Sequence, residues 1–174
     1  MTRQDRYNRV ARLLHWTIAL LVIANILIGI FHDGMGKLFP AMPIHKAIGI
    51  TVLALTLVRI GWRLTHRPPP LPVEMPGWEK GAAHLTHFIF YALLLVMPIT
   101  GWVMSSANAR PLTWFWLFDI PKFGLGKEDA VVGISRNLHE PLGLLFGALV
   151  VIHIAAALRH HFLLRDGVLR RMLG

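Results

Sequence analysis

The 174-residue chain contains no cysteine. That excludes disulfides, thiolate zinc sites, cysteine-ligated iron–sulfur clusters and haem attached through a C-x-x-C-H motif. Thiol usage therefore says nothing about redox compartment. Charge is scarce as well: 16% of the residues are Asp, Glu, Lys or Arg, where about 25% is usual in a soluble domain. Acid is the scarcer sign, with 9 Asp+Glu against 18 Lys+Arg and a formal charge of +9. Apolar residues make up 55% of the chain, and they are gathered into runs instead of being interleaved with polar ones. The length suits one domain, residues 1–174.

Four runs reach the ~20 residues that cross a hydrocarbon core. They cover about 10–31, 44–64, 81–104 and 138–162. The first exceeds the roughly 7–15 apolar residues of a signal peptide and no small-x-small cleavage site follows Phe31, so it reads as a retained span. Backbone in lipid must satisfy its own hydrogen bonds, which predicts helices. No repeated unit is visible. The fold class expected is an all-α membrane protein, a four-transmembrane-helix bundle. The longest connection, 105–137, carries Trp114, Phe115, Trp116 and Phe118 beside Asp119, Pro121 and Lys122, the composition of a segment lying in the membrane interface. Pro68, Pro69, Pro70 and Pro72 make a stiff extended connector between spans two and three.

Basic residues near the span ends set orientation. One side holds Arg3, Arg6, Arg9, Arg12, Arg59, Arg63, Arg67, Lys80, Arg159, Arg165, Arg170 and Arg171, which is 12 of the 18; the other holds Lys37, Lys46, Arg110, Lys122, Lys127 and Arg136. Both termini and the proline connector are expected on the cytoplasmic side of a bacterial inner membrane. The high pI is a topology signal, and a nucleic-acid partner is not expected.

Ten histidines remain to be explained. An ionisable side chain inside a bilayer is costly, so each histidine within a span is a functional candidate. His139 and His153 share span four, fourteen residues apart, which is about 21 Å of rise and a return to within about 40° of the same face. Depth then pairs His139 with His45, and His153 with His15. Two stacked bis-histidine sites are what two b-type haems need, each iron taking two axial imidazoles. A Gly or Ala stands four residues after each of these histidines: Ala19, Gly49, Gly143 and Ala157. A flat macrocycle lying one turn from its ligand needs such a small neighbour. His84 and His87 are followed at that distance by Phe88 and Tyr91. Pro141, two residues after His139, either begins span four or kinks it.

His84, His87, His160 and His161 lie toward the expected cytoplasmic side, near the inner pair. Histidines there suit a quinone, whose carbonyls need hydrogen-bond donors and, on reduction, protons. Arg59 and Arg63 suit haem propionates as well as topology. On the other side Lys46, Arg110, Lys122, Lys127 and Arg136 suit attraction of a small anion, although Asp119, Glu128 and Asp129 are interspersed among them.

The segments L-L-H-W at 13–16, I-H-K-A-I-G at 44–49, A-H-L-T-H at 83–87, L-H-E-P-L-G at 138–143 and H-I-A-A-A-L-R-H-H at 153–161 resemble the bacterial cytochrome b561 membrane proteins, related to the cytochrome b subunits of formate dehydrogenase and nickel–iron hydrogenase. The resemblance implies the same pairing, His15 with His153 and His45 with His139. A member similar in length and in these segments is a superoxide oxidase, which passes electrons from periplasmic superoxide through two haems to ubiquinone near the cytoplasmic face. By that resemblance His87 and His160 are the quinone candidates, and the activity implied is superoxide:ubiquinone oxidoreductase. Two other readings stand beside it. One is an electron-transfer subunit fed by a docked periplasmic dehydrogenase or hydrogenase. The other is a histidine-based metal transporter or sensor, which would be colourless.

Overall fold

The fold is that of a computed structural model, which describes residues 6–73 and 75–173. Arg3 and the outermost residues of the expected domain therefore lie outside the described residues. Four long helices dominate: α1 (Arg9–Met35), α2 (Ala41–Thr65), α3 (Gly77–Ser106) and α4 (Ala130–Arg159). All four are long and apolar enough to cross a membrane. The chain is thus an all-α bundle of membrane-spanning helices. At 1.5 Å per residue the 30-residue helices α3 and α4 are about 45 Å long, half as long again as a hydrocarbon core of about 30 Å. Each helix extends beyond the apolar run that announces it.

The largest extension is at the start of α4, which begins at Ala130 and runs without interruption through Pro141. Proline removes one donor from the helix but does not end it here. Pro98 sits likewise inside α3. Helix α1 begins where the side chain of Asn8 accepts a hydrogen bond from the Ala11 amide at 2.8 Å. The same Asn8 oxygen accepts from the Trp62 indole at 3.1 Å, tying the start of α1 to the end of α2. Helix α4 runs on into a π-helical turn, His160–Leu164, which stops at Arg165 in the left-handed conformation (φ 53°). A short helix α5 (Arg170–Leu173) follows.

Between α3 and α4 the aromatic connection folds as a hairpin, β1 (Thr113–Trp114) antiparallel to β2 (Phe118–Asp119). Phe115 and Trp116 turn it with positive φ. It is pinned to the bundle: the Trp114 indole donates to Thr51 Oγ1 on α2 at 2.9 Å, and Trp102 on α3 donates to the Pro121 carbonyl at 2.9 Å. Trp116, Leu117 and Phe118 remain exposed. At the opposite end the termini and the proline connector meet. Trp16 donates to the Met172 carbonyl at 2.9 Å, Arg171 donates to the Pro70 carbonyl, and Arg159 pairs with Glu79 at 3.2 Å.

The core is a layer at mid-depth, built from Ile18 and Val22 of α1, Ile48 and Val52 of α2, Leu93 and Leu94 of α3, and Phe146 of α4. Outward-facing Leu20, Leu57, Phe88, Val151 and Ile152 are exposed, as expected for surfaces whose solvent is lipid.

Candidate functional site

Each helix carries special residues at two depths, at one repeated interval. Fourteen residues separate His15 from Gly29 on α1, His45 from Arg59 on α2, His87 from Gly101 on α3, and His139 from His153 on α4. Each pair therefore shares a face about 21 Å apart. With the helices antiparallel, two layers result. Gly29, His45, Gly101 and His139 lie toward the hairpin; His15, Arg59, His87 and His153 lie toward the termini. The apolar mid-depth layer falls between them.

In the hairpin-end layer the rings of His45 and His139 face each other with centroids 6.1 Å apart. His45 Nδ1 lies 3.0 Å from the carbonyl of Asn25, so that nitrogen carries the proton and donates. His139 Nδ1 lies 2.8 Å from Thr100 Oγ1. The Thr100 hydroxyl is itself committed as a donor to the Met97 carbonyl at 2.9 Å, which makes His139 Nδ1 a donor too. Both rings are thereby oriented with Nε2 left unprotonated, the state in which imidazole binds a metal. Glycine gives each ring close backing: a Cβ at Gly29 would stand 3.0 Å from His45 Cε1, and one at Gly101 would stand 3.2 Å from His139 Cε1, tight enough that the ring would have to give by a few tenths of an ångström. The glycines one turn beyond the histidines are roomier. A Cβ at Gly49 would meet only Asn25 Nδ2 at 3.8 Å, and one at Gly143 the Met97 methyl at 3.4 Å.

In the other layer three imidazoles converge. The His153 ring lies 6.5 Å from that of His15 and 6.1 Å from that of His87, and Phe90 packs on its edge at 5.2 Å. Arg59 stands within electrostatic range of His15 and His87. Its guanidinium is fixed, Nε donating to the Tyr91 hydroxyl and Nη1 to the Ala11 carbonyl, both at 3.1 Å. His160 lies beyond α4 in the π-helical turn, half-buried and bonded through Nδ1 to Asp166 Oδ2. Among the described residues no ring contact or hydrogen bond joins His87 to His160. His84 is exposed. Near the hairpin, Lys46 stands within electrostatic range of Arg110 and Lys122, and Lys122 donates to the Asn108 and Arg110 carbonyls.

These spacings suit a haem. First-row metal–imidazole bonds are about 2.0–2.1 Å, and about 1.1 Å more on each side reaches the ring centres, so a bis-imidazole iron sets the centroids about 6.3 Å apart. Both intended pairs lie within a few tenths of that value. Among the described residues no cluster of three or more His, Asp or Glu is arranged to hold a free metal ion.

Residues 6–174 match the family model of prokaryotic cytochrome b561. The chain belongs to that family. The protein called cytochrome b561 homolog 2 of Escherichia coli (strain K12) is 33% identical over 177 residues, covering 98% of this chain and 92% of its own. A probable superoxide oxidase, CybB of Yersinia pestis, is 30% identical over 169 residues, 92% of this chain and 91% of its own. Cytochrome b562 of Cereibacter sphaeroides is 29% identical over 186 residues, 99% of this chain and 98% of its own. This cytochrome b561 is accordingly a multi-pass bacterial membrane haem protein of electron transfer, and the group it binds is b-type haem.

Four residues of the site are not among those singled out from the sequence: Asn25, Thr100, Gly29 and Gly101. The glycines were reachable, since each stands fourteen residues after a span histidine, His15 or His87. Asn25 acts through its backbone carbonyl, which carries no side-chain signal.

Proposed function

We propose that this cytochrome b561 holds two b-type haems and carries electrons from superoxide to ubiquinone, as a superoxide:ubiquinone oxidoreductase of the bacterial inner membrane. His45 and His139 would hold the haem near the hairpin, and His15 and His153 the haem near the termini. The observation that carries this reading is the repetition of one imidazole pairing, 6.1 Å at one depth and 6.5 Å at the other, on opposite sides of an apolar layer. His87, although as near to His153 as His15 is, serves the quinone with His160. Residues 1–174 act as one domain, with the termini in the cytoplasm and the hairpin in the periplasm, in keeping with the excess of basic residues at the terminal end.

When bound, the haems supply one-electron redox capacity at two depths. The chain's own contributions are binding, orientation and proton supply. Lys46, Arg110 and Lys122 lower the energy of an anion approaching the hairpin end. Asn25 and Thr100 hold the imidazoles at that depth. At the terminal end His87 and His160 donate hydrogen bonds to the quinone carbonyls, and Asp166 steadies His160 for proton delivery. The overall change is balanced. Two superoxide anions lose one electron each and leave as dioxygen, while one quinone gains two electrons and two protons and leaves as quinol.

A second reading is favoured by the exposed hairpin tip, Trp116, Leu117 and Phe118. Such a tip suits a docked periplasmic dehydrogenase as electron source. Purified protein given superoxide and a ubiquinone analogue separates the two: stoichiometric quinol supports the oxidase, and haem reduction without quinol rejects it.

A further inference from the structure

A cavity of about 290 Å³ opens at the terminal end between the start of α1, the end of α2 and the proline connector. Arg6, Arg59, Arg63 and Arg67 line it together with Trp62 and Tyr91, and no carboxylate does so among the described residues. Topology alone explains basic residues near a membrane end, but not four of them turned onto one small cavity. Like charges gathered this way repel unless an anion lies among them. Among the described residues the arginine–carboxylate pair is Arg159 with Glu79, which does not line the cavity.

The cavity is also preorganised. Arg59 is held by the Tyr91 hydroxyl and the Ala11 carbonyl. The guanidinium carbons of Arg59 and Arg63 lie 6.0 and 5.9 Å from the centre of the Tyr91 ring, and Trp62 stacks on His66 with centroids 3.8 Å apart. Guanidinium forks match phosphate oxygens two at a time. The volume lies at the lower end of the ~300–1,000 Å³ typical of small-molecule sites, a size for a phosphate and its immediate substituents and not for a porphyrin. Trp62 lines the cavity, and tryptophan prefers headgroup depth.

We propose that this cavity is a phosphate-binding site, filled by the headgroup phosphate of an anionic phospholipid or by phosphate from solution. Basic pockets between helices at a membrane face bind such headgroups. The site serves to lock α1, α2 and the connector together.

The test uses haem-loaded protein in detergent, with native mass spectrometry of retained lipid and thermal unfolding as the two readouts. Phosphatidylglycerol is offered against phosphatidylcholine, and inorganic phosphate is offered alone. The wild type is expected to prefer phosphatidylglycerol by roughly tenfold or more. R63Q/R67Q should lose that preference, while R63K/R67K keeps part of it and R110Q/K122Q at the other end keeps it all. Should the double variant not fold, R67Q, at an exposed position, reads the same preference. Stabilisation of the wild type by inorganic phosphate, absent in R63Q/R67Q and without lipid discrimination, would assign the site to phosphate from solution. Failure of the wild type to respond to either probe overturns the proposal. So does loss of haem from R63Q/R67Q with lipid retention unchanged, which would give these arginines to haem propionates.

Discussion

The hydroxyl of Thr100 accepts a hydrogen bond from Nδ1 of His139 at 2.8 Å while donating its own proton to the carbonyl of Met97. One side chain on α3 thus decides which nitrogen of a ring on α4 is free. Partners of this kind typically change metal affinity about 10–100-fold when removed. Thr100→Val is expected to weaken haem retention at the hairpin-end site by such a factor and to leave the other site intact. Thr100→Ser, which keeps the hydroxyl, should behave as the wild type. Haem titration of the purified variants measures both.

Gly29 and Gly101 predict a steric effect at the same depth. A valine at either position drives its Cβ to 3.0 Å or 3.2 Å from an imidazole carbon, closer than neighbouring atoms accept without moving. Each substitution should cost one haem of two. Gly34→Ala is the control, because a Cβ there meets nothing within 4 Å. Optical spectra with haem quantitation distinguish the three proteins.

Removal of the ligands themselves tests the pairing. His45→Ala and His153→Ala should each remove or convert one haem and spare the other. His87→Ala should retain both haems and slow quinone reduction. If His87→Ala loses a haem while His15→Ala does not, the partner of His153 is the ring at 6.1 Å and not the one at 6.5 Å.

Stability at the terminal end rests partly on Asn8, whose one oxygen caps α1 and binds the Trp62 indole. Asn8→Ala removes the cap and leaves two donors without an acceptor. The expected loss is about 1–2 kcal/mol of stability, seen as a lower unfolding temperature in detergent with haem content unchanged at low temperature. Asn8→Asp should preserve most of it.

Much of this was open to reading from the residues. The four spans are apparent from apolar run length, and because antiparallel helices of similar length meet at predictable heights, depth brings His45 to His139 but brings both His15 and His87 to His153. The start of α4 was not legible. Pro141 is a strong local stop signal, yet the eight residues 130–137 ahead of Leu138 continue the helix, since tertiary packing of Val132 and Ser135, both buried, outweighs the lost donor. The hairpin was hidden for a similar reason: its strands are two residues each, too short for alternation to register. Its place is fixed by Trp114 bonding to Thr51. Gly29 and Gly101 escaped notice because a missing side chain carries no chemistry of its own, and only the ring behind it shows what the space is for.

The greasy stratum formed by Ile18, Val22, Ile48, Val52, Leu93, Leu94 and Phe146 has an electrical corollary. Its seven side chains carry no group that exchanges a proton, so negative charge crossing it travels unaccompanied through the membrane field. That work is about 2.3 kcal/mol per elementary charge per 100 mV for a full crossing. In the proposed orientation, with the termini in the cytoplasm, inward flow of electrons adds to an interior-negative voltage and is resisted by it. In sealed vesicles of matching orientation, turnover should quicken when an ionophore collapses the voltage, and an unchanged rate would show that compensating charge finds a way through.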